Sequence, residues 1–191
     1  MDVSPGNRRS SCLLKCALFC LLAAAGASRA QELRFESAGA RFGIPVSEAS
    51  EKLHEGDVFV SGDLPWIWEL GSDWRLKPRV ELSAGWLGKN DQNGVVGSAD
   101  PWVALGHGKV PLWLEAGAGP TILSRTKFGT ADRAGSKDFG IPFQFTSHIG
   151  FYCEVASRIR LGYRFQHMSN AGLGSPNPGL TLHVFYASYL F

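Results

Sequence analysis

His167 and Ser169 stand two residues apart near the C-terminal end of the chain. They lie in the run Arg164-Phe165-Gln166-His167-Met168-Ser169-Asn170-Ala171-Gly172-Leu173-Gly174-Ser175-Pro176-Asn177-Pro178-Gly179. In an extended strand, residues two apart point to one face, so an imidazole and a hydroxyl become neighbours. Their face is apolar, because Leu161, Tyr163 and Phe165 share its parity, while Arg158, Arg160, Arg164 and Gln166 share the other. A histidine beside a serine at low dielectric is a base and nucleophile pair. Desolvation keeps the imidazole neutral, the form a base needs. The Asn170 and Asn177 amides and the Gly172 backbone N–H are candidate donors to an oxyanion. Alone, His-x-Ser is equally a polar patch where a strand leaves an apolar layer, and Asn-Pro-Gly is equally a plain turn.

The elements that must hold this pair alternate with period two. From Trp74 to Trp86 the even positions are Trp, Leu, Pro, Val, Leu, Ala and Trp, while the odd ones include Arg75, Lys77, Arg79 and Glu81. Phe139 to Cys153 repeats the pattern with Phe139, Ile141, Phe143, Phe145, Ile149 and Phe151 on one parity. Strands are expected over 33–44, 57–69, 73–87, 95–106, 110–122, 139–153, 157–169 and 179–191. They are longer than the 5–6 residues typical of globular proteins and suit a bilayer, which a tilted strand of about 9–11 residues spans. Full charges in rows on the polar face fit a packed barrel interior. Short connections are expected at Gly71-Ser72, Gly106 to Lys109 and Glu154 to Ala156. Longer ones are expected at Pro45 to Gly56, with a helical turn at Ser47 to Leu53, and at Gly88 to Gly94, Leu123 to Asp138 and Asn170 to Pro178. This alternation matches a barrel with short periplasmic turns and long external loops. The sequence therefore predicts an all-β fold, an eight-stranded antiparallel up-and-down transmembrane β-barrel.

Residues 1–30 read as a signal peptide. Arg8 and Arg9 form a basic head, Cys16 to Ala25 an apolar core, and Ser28-Arg29-Ala30 a small-residue exit. The barrel then occupies residues 31–191 as one domain. This part carries fifteen Lys+Arg against sixteen Asp+Glu, which gives no reason to expect nucleic acid as a partner. Its single cysteine, Cys153, rules out an internal disulfide. No spacing of His, Cys and carboxylates suggests a metal site, and no cofactor is expected. His148 is expected inside the barrel, His107 in a periplasmic turn and His54 in an outer loop. The six tryptophans are expected in interface belts and barrel packing.

The motif His167-Met168-Ser169-Asn170-Ala171-Gly172, followed by Pro176-Asn177-x-Gly179 and a final aromatic strand ending at Phe191, resembles the lipid A 3-O-deacylases of the PagL type. The likeness is strong over 162–191 and weaker over most of the chain after the leader, including Glu115-Ala116-Gly117-Ala118-Gly119 and Phe143-Gln144-Phe145. The resemblance implies an outer-membrane barrel whose outer wall carries a Ser-His-Glu triad that cleaves the 3-position acyl ester of lipid A. Lipid A and outer-membrane lipids are then the expected partners. Motif position gives Ser169 as nucleophile and His167 as general base, and Phe165, Phe185 and Phe143 are expected to line an acyl-chain groove. The family's acid falls on Thr181, which a final hairpin centred near Gly174 would set opposite His167. Threonine accepts a hydrogen bond but carries no charge, so weakened activity is expected. Asp138 is the substitute acid to consider, Asp132 less so. Glu154 lies thirteen residues from His167, roughly 40 Å along a strand. The alternatives are a non-catalytic structural or adhesive barrel on the same scaffold and a soluble periplasmic barrel.

Overall fold

The computed structural model describes residues 33–46, 53–89, 91–129 and 136–191. The expected leader, the expected helical turn Ser47 to Leu53 except Leu53 itself, which begins a strand, and Asp132 lie outside them. Eight long strands are present: β1 (Arg34–Pro45), β2 (Leu53–Asp63), β3 (Trp74–Lys89), β4 (Gln92–His107), β5 (Leu112–Leu123), β6 (Phe143–Ala156), β7 (Ile159–Ser169) and β8 (Leu180–Leu190). Each pairs antiparallel with its chain neighbours, and β1 pairs with β8 to close the barrel. Closure satisfies every strand edge, which a sheet in lipid requires.

Period two sets the two faces. Ile149 on the outer wall is 65% exposed, whereas Arg164 in the lumen is 1% exposed. Such an inside-out distribution belongs to a membrane barrel rather than a soluble one. The rows of cross-strand partners climb around the barrel. One begins low on β1 as Ser37–Ser61–Glu81–Asp100. Gly119 abuts Asp100, and the row continues Gly119–Thr146–Met168–Leu180, ending at the top of β7 and β8. This stagger is the shear that a closed, tilted barrel needs.

The lumen is filled in layers. Low down, Glu36 binds Arg79 and Arg160. At mid-height Arg41 binds Asp57 and Glu81, and Arg164 binds Glu81 and Glu115. Aromatics interleave with them, including Trp102 edge-on to Tyr152 at 6.3 Å between centroids. At the top, Leu53, Leu87, Leu123, Met168 and Leu180 pack with Phe128 and Phe139 from the connection between β5 and β6. His148 is buried in the lumen with Nδ1 3.0 Å from Asp100.

Several boundaries differ from expectation. The expected strand 57–69 stops at Asp63, just before Pro65, which has no N–H for a ladder. The chain then returns through a short Trp68–Glu69 strand pairing with Leu76 and Arg75, so this lower connection is longer than the Gly71-Ser72 turn. The expected loop Gly88 to Gly94 is instead absorbed into the ladder, which runs to Lys89↔Gln92. β6 starts at Phe143 rather than Phe139, because Gly140 turns with φ +75° and Pro142 lacks a donor. His54 is in β2, stacked on Phe42, not in a loop. Trp102 is buried in the lumen, whereas Trp68, Trp74 and Trp86 are exposed.

Candidate active site on the outer wall

β7 carries Leu161, Tyr163, Phe165, His167 and Ser169 on the outward parity, with Arg160, Arg164, Gln166 and Met168 turned into the lumen. His167 is exposed and Ser169 half-buried. Register places Thr181 of β8 directly across from His167 on one side and Ser147 of β6 on the other. The Thr181 hydroxyl lies 2.9 Å from His167 Nδ1. When Nδ1 carries the proton, it donates to Thr181 Oγ1 and leaves Nε2 as the free base. The Cε1–Nε2 edge of the ring lies against Gly179, where the last loop enters β8. A Cβ built on Gly179, whose φ is +60°, would lie 2.8 Å from His167 Cε1 and 3.2 Å from Nε2. Only glycine suits that backbone and leaves the ring its room. No hydrogen bond joins Ser169 Oγ to His167 among the described residues. Such contacts commonly tighten only once the reacting groups are in place.

The loop between β7 and β8 is held by one amide. Asn170 is fully buried, and its Nδ2 donates to Phe139 O and to Pro176 O, both at 3.1 Å. Its Oδ1 accepts from Gly172 N at 2.9 Å, and its own N–H donates to Asn177 Oδ1 at 3.0 Å. Two of the expected oxyanion donors are therefore corrected. The Asn170 amide has spent both its protons on carbonyls, and the Gly172 N–H is taken by Asn170. Asn177 is different. It is exposed, its Oδ1 accepts from Asn170 N, and no hydrogen bond among the described residues uses its Nδ2.

The expected groove residues do not form one wall. Phe165 and Phe185 lie together below His167, where Phe165 meets His183 edge-on at 5.8 Å and Phe185 meets Tyr163 at 5.4 Å. Phe143 stands across β6, packed on Phe145 at 5.1 Å. Asp138 does not reach the histidine. It accepts from Gly140 N at 2.9 Å and lies 3.3 Å from Lys127 Nζ. Glu154 is at the other end of the barrel with Arg160. Sequence reasoning missed Ser147 and the pair Tyr163–His183, whose Oη and Nδ1 are 2.8 Å apart. Parity alone would have found them, since both Ser147 and His183 sit on outward-facing positions beside the His167 row.

The description "Lipid A 3-O-deacylase (PagL)" is that of the family matching residues 54–190, which takes in all of β3 to β8 and all of β2 but Leu53. The chain belongs to this family. A curated PagL relative, the "Lipid A deacylase PagL" of Bordetella bronchiseptica, is 32% identical over 145 residues, covering 72% of this chain and 78% of the relative. Among solved structures, the "outer membrane enzyme PagL" superposes with a TM-score of 0.66 at 22% identity, covering 80% of this chain and 97% of that one. The N-terminal β-barrel domain of Pseudomonas aeruginosa OprF superposes at 0.51 with 14% identity, covering 84% and 100%. These two likenesses show the eight-stranded barrel. The family match over residues 54–190 spans His167, Ser169 and Thr181.

Proposed function

We propose that the chain is an outer-membrane lipid A 3-O-deacylase, exported by residues 1–30 and acting on glycolipid in the outer leaflet. The observation that carries this reading is the outward row at the top of β7, where His167 bonds Thr181 of β8 and Ser169 stands two residues further on, within a PagL-family barrel. An ester of a lipid lying against the outer wall reaches Ser169 without entering the lumen. Ser169 Oγ loses its proton to His167 Nε2 and attacks the ester carbonyl. The oxyanion takes a hydrogen bond from Asn177 Nδ2. Nε2–H then protonates the departing sugar oxygen, and water releases the fatty acid from the acyl-serine by the same path in reverse.

Thr181 is the departure from a charged triad. Its hydroxyl anchors the ring at Nδ1 but, as donor or acceptor, does not impose one tautomer and offers no negative charge to the imidazolium that forms, so ring placement is retained and the electrostatic part of the third member's work is lost. Turnover below that of a carboxylate-bearing site follows. Mass spectrometry of lipid A from a host with 3-O-acylated lipid A tests the reading. Expression of the chain should remove one 3-position acyl chain, and Ser169→Ala should restore the original mass. An unchanged spectrum with the wild-type chain folded in the outer membrane would leave a non-catalytic barrel in its place.

A further inference from the structure

The outer wall has a second feature in the row of Ser169. Partners run Ser169–Phe145–Pro120 across β7, β6 and β5. Beside Pro120 the wall sinks into an open apolar depression of about 420 Å³, bounded by Leu82, Gly97, Ala99, Pro120, Ile122 and Phe143. The rows climb towards β8, so following this one back from Ser169 to β4 leads deeper into the layer that the outer leaflet occupies.

Gly97 forms the floor, and the fold itself does not need a glycine there. At the other strand glycines a Cβ would come within about 3.0 Å of the protein's own atoms. At Gly97 the nearest atoms, Ile122 Cγ2 and Ser83 O, are 3.7 Å away, an ordinary contact, and its φ is not positive. The space above Gly97 is thus open to something outside the chain. It lies two to three strand spacings from Ser169, about 10–14 Å along the wall. Two chains on one sugar pack side by side, so this separation matches chains on different sugars.

We infer that this depression seats a second acyl chain of the same glycolipid, one attached to the sugar next to the one being deacylated. This rests on the deacylase reading. The seat holds the lipid in register while its 3-position ester meets Ser169, and burial of a hydrocarbon chain against Leu82, Ile122 and Phe143 supplies the attraction that packing gives in an apolar solvent.

The test compares two substrates in detergent micelles, hexa-acylated lipid A and the single-sugar lipid 2,3-diacylglucosamine 1-phosphate. Gly97→Leu and Ala99→Leu fill the depression from two strand positions, and Gly97→Ala is the smaller step. Heat-modifiable migration in SDS gels checks that each variant is a closed barrel. The leucine variants should lower kcat/KM on hexa-acylated lipid A about tenfold and leave cleavage of the single-sugar lipid unchanged. Equal loss on both substrates, or none on either, overturns the seat while leaving the deacylase reading standing. Failure of the wild type to cleave either substrate removes both.

Discussion

Two polar regions of this barrel solve opposite problems. In the lumen, Arg41, Arg164, Asp57, Glu81 and Glu115 are all but fully buried, and each cation meets at least two carboxylates. On the outer wall, His167 meets neutral groups among the described residues, with Thr181 at 2.9 Å and Gly179 against its ring. The lumen answers charge with charge and gains rigidity. The wall sets an imidazole beside a hydroxyl and a glycine, with no carboxylate partner among the described residues. The difference teaches where a carboxylate is affordable. In the lumen it balances guanidinium. Beside His167 it would help the imidazolium, but it would face lipid whenever the ring is neutral.

The sharpest way to break the contrast is to unbalance the lumen. Glu81→Ala removes a partner from both Arg41 and Arg164 and should destabilise the barrel by about 3–5 kcal/mol. Urea titration followed by gel mobility reads this, and a change below about 1 kcal/mol would deny the network its structural weight. Next comes Gly179→Ala, which crowds His167 Cε1 and Nε2. Activity should fall about a hundredfold, as for other misplacements of order 1 Å, with a closed barrel retained. Normal turnover in this variant would mean that Nε2 does not face Gly179 during the reaction.

Smaller effects sharpen the comparison at Thr181. Thr181→Glu introduces the charge that the wall lacks. It should raise kcat for lipid A deacylation about tenfold, and a drop instead would show that the hydroxyl is the better partner here. Thr181→Val keeps shape and removes the hydrogen bond. The loss of one neutral hydrogen bond, about 1 kcal/mol, predicts a roughly fivefold fall in kcat with KM little changed.

Much of this was legible in the sequence, because side-chain parity is a local property. Alternation told which way His167 and Ser169 face, and a last hairpin centred near Gly174 set Thr181 opposite His167. Connections were less legible. Nothing in Gly88 to Gly94 signals that the ladder runs on to Lys89↔Gln92, since glycines and asparagines look like loop in either case. Partners joined by the shear were invisible. Asn170 reads as an oxyanion donor in the sequence because its bond to Phe139 O depends on where the connection between β5 and β6 settles, and its bond to Pro176 O on how the β7–β8 loop folds back. The depression at Gly97 is likewise made by residues from four strands.

The apolar layer of Leu53, Leu87, Leu123, Phe128 and Phe139 above a lumen crowded with ion pairs has a consequence for permeability. An apolar layer over a lumen filled with side chains predicts that the described residues leave no continuous wet path. Planar bilayers containing it should record no conductance steps, and cells that express it should gain no sensitivity to small hydrophilic antibiotics. The barrel is an anchored wall with a working side, and solutes on either face of the membrane stay where they are.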